Sequence, residues 1–575
     1  MGRRRSRLIT LALALALALA APAARAADVP ADATWWEAHF SEPDGTMLHA
    51  DILRPKGLSP TAKTPVILSI GPYFNHSGQE GVVGTGDDYN PVGPAGPSDR
   101  FLDFIQGAHL MQRGYTYVMV DLRGFGGSTG CLDWAGPGEQ ADVKAAVEWA
   151  AKQPWSTGKV GMYGKSYDGV TGLIGEVLKP KGLAAVVAGE PVYDLYRYLY
   201  SNQVRYENSV ATPALYDLIA GTPGTASDSP DYDANAANDI ARPGCPVANW
   251  ADQQDDNHNS AYWKQRTFID RAKGATTPLF MTQGFLENNT KPDGSFEFFN
   301  NVAGFKRAWF GMWDHVRGND TDSSGRLAMG RQGWFDEVMR FYDHFVKGLP
   351  LSQAPADKDP PIALETSDGT WRSESRWPPS DSRSYTSKLL PGSYIDDGQN
   401  NGELADGFGP TGDGTWTFSR KLPYAAHFAG IPRAVVHVTS EFPNANLVVD
   451  VYDVNPNTNA TLISRNAYLL SGGRQRVPLE LYGNDWILPR GHRIGVLVTS
   501  SNSEWWAHVP TAQPITVNGG TVTLPFLTYT RTATIQGAPS IRLDDYKANA
   551  PFTVDAATVQ SRTSSTFVLP PPMRG

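Results

Sequence analysis

Between residues 34 and 190, short apolar runs alternate with segments of helical periodicity. TPVILSI (64–70), TYVMVD (116–121), VGMYG (160–164) and LAAVVAG (183–189) read as buried strands, and Val143, Ala146, Val147 and Ala150 mark a helix between two of them. Strands alternating with helices predict a mostly parallel sheet covered on both faces. TPLFMTQ (277–283) and RAWFGM (307–312) continue the pattern and read as its last strands. Residues 191–275 interrupt it. They are rich in Tyr, Asp and Asn, carry the turn signals GTPGTASDSP and ARPGCP, and include the helical stretch YDLYRYLYSNQVRY, which together predict a mostly helical cap inserted over the sheet.

The sheet pattern resumes over 276–348 and ends in a helix, GWFDEVMRFYDHFVKG. Residues 349–384, rich in Pro and Ser, read as a linker. From 385 to 572 the period changes to two: TWTFSRKL, RAVVHVTSE, NLVVDVYDV, TLISRNAYLL, HRIGVLVTS and TVTLPFLTY alternate between turns. That pattern predicts an antiparallel β-sandwich of jelly-roll type. The expected fold class is therefore α/β, with a helical insertion and a C-terminal all-β domain.

The first 26 residues stand outside the fold: a basic start, an apolar run from Leu8 to Ala20, and Ala24 and Ala26 at a cleavable ARA describe a signal peptide. A secreted protein is the expectation, with no membrane attachment after cleavage, because a span needs about 20 apolar residues and no later segment offers them. The formal net charge of −9 includes five arginines of that segment, so the remainder is more acidic still. An acidic chain is a poor partner for nucleic acid. Cys131 and Cys245 are the only cysteines, which excludes a disulfide scaffold and a cysteine-rich metal centre. In an exported chain they pair with each other or remain as two buried thiols.

GKSYDG (164–169) lies where a strand turns into a helix, since Val170, Leu173, Ile174, Val177 and Leu178 recur at helical spacing. This is the setting of a nucleophile elbow, in which a sharp turn lifts a serine hydroxyl clear of the sheet, with glycines where side chains would collide. The alternative is a plain turn serine. A serine nucleophile requires a histidine base and an orienting acid, in the chain order Ser, acid, His. After TPLFMTQ comes Glu287, with Asp293 as the alternative acid; after RAWFGM comes His315. Ser166 would attack, His315 would move the proton and Glu287 would fix the imidazole tautomer. The competing readings are a solvated loop acid and a structural histidine. Asp314, adjacent to His315, reads as loop structure. For the oxyanion, the backbone N–H of Tyr167 follows from elbow geometry, and the phenol of Tyr73 in SIGPYFNHSG is the second candidate, otherwise a core aromatic. No metal or other cofactor is expected: HExxH is absent, no Cys/His cluster is evident, and ADQQDDNHN (251–259) lacks calcium-loop spacing.

The ordered set GPYFNHSG, DLRGFGGSTG, GKSYDG, YDLYRYLYSNQVRY, GFLENNTKP and WDHVRG, followed by a β-sandwich, resembles the Xaa-Pro dipeptidyl-peptidase and cocaine esterase family of serine hydrolases. The resemblance spans about residues 35 to 570 and implies an α/β-hydrolase domain, a helical cap and a jelly roll, with Ser166 and His315 matching the nucleophile and base. It also implies that Tyr73 serves as the side-chain oxyanion donor. Two positions depart from the family pattern: Glu287 stands where aspartate is usual, and Asp168 where a small or apolar residue is usual. GKSY and GFLENNTKP look more like the prolyl dipeptidyl-peptidase branch. Such an exopeptidase also needs a carboxylate for the substrate's α-amine; Glu190 is the first candidate, followed by Asp194 and Glu207, each otherwise a salt-bridge partner in the cap. The leading expectation is a secreted exopeptidase releasing Xaa-Pro dipeptides through an acyl-enzyme, acting on peptide or small acyl substrates. An acyl ester or α-amino acid ester hydrolase of the same fold is the first alternative, and a catalytically dead carbohydrate-binding protein the second.

Overall fold

The computed structural model describes residues 29–77, 95–241, 249–398, 414–501 and 505–575. The N-terminal 26 residues and Cys245 lie outside them, while Cys131 is disulfide-bonded. The chain forms two compact units, one comprising residues 1–134, 138–160 and 213–250, the other 135–137, 161–212 and 251–575.

In the first unit, β1 (Ala33–Ser41) pairs antiparallel with β2 (Met47–Pro55), β2 pairs antiparallel with β4 (Thr116–Asp121), and β4 pairs parallel with β3 (Thr64–Gly71). Every residue of β3 and β4 is buried, as continuous apolar runs in a sheet covered on both faces should be. The helix Pro137–Lys152 opens on proline, whose missing N–H is harmless there, and buries Val143, Ala146, Val147 and Ala150. Two helices of the expected cap, Thr212–Ala220 and Pro230–Ala241, belong to this unit. The cap is therefore divided between the units rather than forming one block over 191–275.

Along β5 (Ser156–Lys165) the chain passes into the second unit. There β6 (Leu183–Gly189) pairs parallel with β9 (Leu279–Gly284), and β9 with β10 (Lys306–Gly311). Between β6 and β9 a short helix, Leu195–Leu199, leads into a hairpin of β7 (Tyr200–Ser201) and β8 (Val204–Arg205). The helical reading of YDLYRYLYSNQVRY is corrected here: Asn202 and Gln203 both take positive φ, 45° and 72°, the demand of a tight type I′ hairpin turn.

Residues 349–384 are also more than a linker. They contribute β11 (Ile362–Glu365), parallel to β10, and β12 (Trp371–Glu374), antiparallel to β11, so the hydrolase sheet gains two strands. Arg372 on β12 makes a bidentate pair with Asp485, at 2.9 and 2.7 Å, which ties this edge to the C-terminal domain.

The C-terminal domain stacks two sheets, one built around the long strand Pro514–Leu527 and the other around Asn446–Val454. Period-two alternation sets its core: in Arg433–Ser440, Ala434, Val436 and Val438 are buried between exposed or half-buried neighbours. Phe418, Tyr452, Leu462, Leu497 and Phe552 form the cluster beneath the second sheet.

Candidate active site

Ser166 stands between β5 and the helix Tyr167–Leu178 with φ 64° and ψ −125°, a conformation that a non-glycine residue holds only under constraint from its surroundings. The constraint is visible. Its N–H donates to the Gly189 carbonyl at the end of β6 (2.9 Å), and its carbonyl accepts from Val170 N in the helix (2.9 Å). Gly164 allows the turn to close, because a Cβ there would lie 2.2 Å from the Asp168 carbonyl oxygen. Tyr167 opens the helix, so its N–H belongs to the first turn. Its phenol is anchored by the Ala135 N–H at 2.9 Å.

The next two parallel strands bring the acid and the base. Gly284 on β9 stands in register with Gly311 on β10, and beyond these ends Glu287 Oε2 lies 2.9 Å from His315 Nδ1. Glu287 is fully buried and the His315 side chain is 15% exposed, so the imidazole has one edge toward solvent and the carboxylate none. Glu287 Oε1 accepts the N–H groups of Asn289 (2.6 Å) and Thr290 (3.1 Å), which fixes the longer side chain. Burial opposes its ionisation, but the His315 charge and hydrogen bond, with the Asn289 N–H and the Lys165 charge, outweigh that and hold it below the usual carboxylate range. Asp293, the alternative acid, is instead paired with Arg197 at 3.1 Å.

Glu190 is buried, and both of its oxygens are engaged inside the protein: Oε1 accepts from Thr282 Oγ1 (3.0 Å) and Trp313 Nε1 (2.8 Å), and Oε2 from Gly284 N (3.0 Å). Burial, reinforced by the charge of Glu287, pushes it well above the usual range. Asp194 caps the helix Leu195–Leu199 through Arg197 N (3.1 Å) and pairs with His258 (3.0 Å), a residue of the ADQQDDNHN stretch. Glu207 is exposed. Asp168 is buried, and its carbonyl accepts from Thr171 Oγ1 at 2.8 Å.

Several residues around the site, Lys291 and Tyr206 among them, have no role that the sequence assigns. Lys291 is wholly buried, 4.8 Å over the Tyr206 ring and 5.5 Å over that of Trp506, and burial pushes its amine down to about 7. Tyr206 donates its hydroxyl to the Asn288 carbonyl. At the head of the histidine loop, Met312 N donates to Glu365 Oε2 (2.9 Å) and Met312 O accepts from Ser540 Oγ (2.7 Å). Within the first unit, Tyr73 is buried, its phenol is hydrogen-bonded to that of Tyr216, and the Arg100 guanidinium lies 3.8 Å over its ring.

Residues 44–317 match the family model of the X-Pro dipeptidyl-peptidases (S15 family), and residues 354–541 match that of the X-Pro dipeptidyl-peptidase C-terminal non-catalytic domain. The chain belongs to this family of serine hydrolases. A chain of Streptomyces avermitilis that bears the name Xaa-Pro dipeptidyl-peptidase is 23% identical, over 79% of this chain and 76% of its own length. The cocaine esterase of a Rhodococcus strain is 26% identical, over 61% of each chain. A solved CocE/NonD family hydrolase from Staphylococcus aureus has the same fold, with a TM-score of 0.66 at 16% identity, covering 88% of this chain and 99% of that one. The X-Pro dipeptidyl-peptidase family thus comprises both peptide-cleaving and ester-cleaving names among the relatives of this chain, on an α/β-hydrolase domain followed by a β-sandwich.

Proposed function

We propose that this hydrolase is exported by its N-terminal segment and releases Xaa-Pro dipeptides from peptide N-termini through an acyl-enzyme. Ser166 attacks the scissile carbonyl as His315 takes its proton, the tetrahedral oxyanion accepts the Tyr167 N–H, and His315 then protonates the leaving amine. Water repeats the sequence to free the acyl group. Glu287 holds the imidazole so that Nδ1 carries a proton and Nε2 faces the nucleophile. Family resemblance assigns the Tyr73 phenol as the second oxyanion donor. The observation that carries the reading is the 2.9 Å contact of Glu287 Oε2 with His315 Nδ1, at strand ends of the same parallel sheet segment whose β6 end fixes the Ser166 turn.

An acyl ester hydrolase is favoured by a separate observation. Glu190, the first candidate for the substrate's amine, already accepts from Thr282, Trp313 and Gly284, and Asp194 is paired with Arg197 and His258. Of the three candidates, Glu207 is the exposed one. Turnover of Ala-Pro p-nitroanilide, compared with that of p-nitrophenyl acyl esters and with Ser166→Ala as control, separates the two. Anilide cleavage lost in Ser166→Ala is the expected result; ester cleavage without anilide cleavage replaces the peptidase reading with the esterase one. Labelling of Ser166 by a fluorophosphonate probe tests the nucleophile independently of substrate.

A further inference from the structure

The first unit holds a second cluster of chemistry-bearing side chains, which the hydrolase reaction does not use. Strand register gathers it on one face of the sheet. Glu37 stands opposite Asp51 in the β1–β2 ladder and His39 opposite His49, so Glu37, His49 and Asp51 share a face by the period of two. Ala50 pairs with Val120 across β2 and β4, which brings Asp121 beside His49. His76 joins from the loop after β3, and Asp228 and Tyr232 from the start of the helix Pro230–Ala241.

The hydrogen bonds orient both imidazoles the same way. His49 Nδ1 lies 2.9 Å from Asp121 Oδ2, and His76 Nδ1 lies 2.8 Å from Asp228 Oδ1. With each Nδ1 pinned by a carboxylate, the Nε2 atoms turn inward: His49 Nε2 is 3.2 Å from Glu37 Oε1, and His76 Nε2 is 3.0 Å from Asp51 Oδ2. Tyr232 Oη bridges them, 3.3 Å from His49 Nε2 and Nδ1 and 3.2 Å from His76 Nε2. Ligand atoms of Glu37, His49 and His76 all lie within 4.8 Å of one another. The His49, His76, Asp51 and Asp121 side chains are 0–1% exposed, and Glu37, at 31%, is the open side. The chain is shaped around the rings: a Cβ on Gly127 would lie 2.6 Å from the His49 ring.

We propose that Glu37, His49 and His76, with Asp51 as the fourth ligand, form a structural site for a divalent transition metal of the zinc type. Histidine ligands whose far nitrogens donate to carboxylates are the arrangement that fixes tautomer and raises basicity at such sites. Two imidazoles and two carboxylates select zinc-like ions over calcium or magnesium, which take all-oxygen shells. Ligand atoms about 2.0–2.2 Å from the ion stand roughly 3.4 Å apart in a tetrahedron, close to the 3.2 Å between Glu37 Oε1 and His49 Nε2 and the 3.0 Å between His76 Nε2 and Asp51 Oδ2. Bound to an ion through Nε2, each neutral ring would donate Nδ1–H to Asp121 or Asp228. The ion would join β1, β2, the loop after β3 and, through Asp228, the entry to the helix Pro230–Ala241. His76 lies three residues after Tyr73 in that loop, so the same ion would fix the segment that carries the phenol.

The test uses the untagged full chain, stripped with a chelator and given Zn2+ or Co2+ alone. The expected result is one ion retained per chain by elemental analysis, a rise in melting temperature on reloading, and visible absorption from Co2+ in a tetrahedral nitrogen and oxygen site. Asp228→Asn, which touches a ring and not the ion, weakens Zn2+ binding by about 10- to 100-fold. Glu37→Gln, at the partly exposed position, abolishes the Co2+ absorption while the circular dichroism spectrum is kept. Absence of stoichiometric metal and of any melting shift in the wild-type chain overturns the proposal, as does equal binding by the wild type, Glu37→Gln and Asp228→Asn.

Discussion

Glu190 accepts the indole N–H of Trp313 at 2.8 Å, two residues before His315, and its other oxygen accepts the N–H of Gly284 at 3.0 Å, three residues before Glu287. One buried carboxyl therefore holds the heads of both loops that deliver Glu287 and His315. The two carboxyls are pushed in opposite directions, Glu190 up by burial and by the Glu287 charge, Glu287 down, against burial, by His315. Of the two carboxyls, the one that faces the imidazole therefore ionises first.

The raised pKa of Glu190 gives a pH signature. Its folded pKa lies above the unfolded value of about 4.3, so the unfolded chain releases the proton first and stability falls as pH rises beyond that value. Glu190→Gln has no such proton and loses one acceptor for the Gly284 N–H. From pH 5 to pH 7, urea denaturation is expected to show the wild type losing up to about 2.7 kcal/mol relative to Glu190→Gln. A gap independent of pH would mean that Glu190 is ionised.

Glu287→Gln retains the shape of the acid but offers an amide where His315 Nδ1–H needs an acceptor. We expect kcat to fall by roughly 10³- to 10⁴-fold with KM little changed, read by steady-state kinetics on the preferred substrate. The lowered pKa of Glu287 adds a stability contribution present above the unfolded carboxyl value and lost as pH falls through the folded one. Acid denaturation of Glu287→Gln should lack that component.

Gly164→Ala places a methyl carbon 2.2 Å from the Asp168 carbonyl, and the backbone must move to accept it. Displacing the nucleophile by about 1 Å costs on the order of 100-fold in rate. Fluorophosphonate labelling of Ser166 should slow by at least that factor while the C-terminal domain keeps its near-ultraviolet signal. Normal labelling would show that the elbow does not depend on this contact.

Lys291 buries an amine whose pKa is pushed from its ordinary value down to about 7. Between pH 7 and about 10.4 the unfolded chain binds the extra proton and the folded chain does not, so the wild type gains stability as pH rises. Lys291→Met should therefore be more stable than the wild type at pH 7, with the difference closing as pH approaches 10. Thermal unfolding across that range checks the sign.

Long apolar runs were legible without the structure: β3, β4, β5, β6, β9 and β10 fall where the sequence pattern puts them, as do the elbow, Glu287 and His315. Short strands were not. β11 and β12 are four residues each in a Pro- and Ser-rich stretch, so local composition outweighed a pairing that only the neighbouring β10 reveals. YDLYRYLYSNQVRY has helical apolar spacing, and the turn at Asn202–Gln203 overrides it. Glu190 reads from the sequence as a candidate for the substrate's amine or else a salt-bridge partner in the cap, because its partners, Thr282, Gly284 and Trp313, are about a hundred residues away. The Glu37, His49 and His76 cluster has no linear signature, because strand register rather than spacing assembles it.

The tie between Met312 and both Glu365 and Ser540 has a consequence for synthesis. A growing chain has Ser166 within its first third, and Glu287 and His315 near its midpoint. The histidine loop gains its last anchor only when residue 540 of 575 has been made. The loop that carries His315 is therefore fully held only once Ser540 is in place, so a chain interrupted before that residue would lack one of the two anchors of Met312.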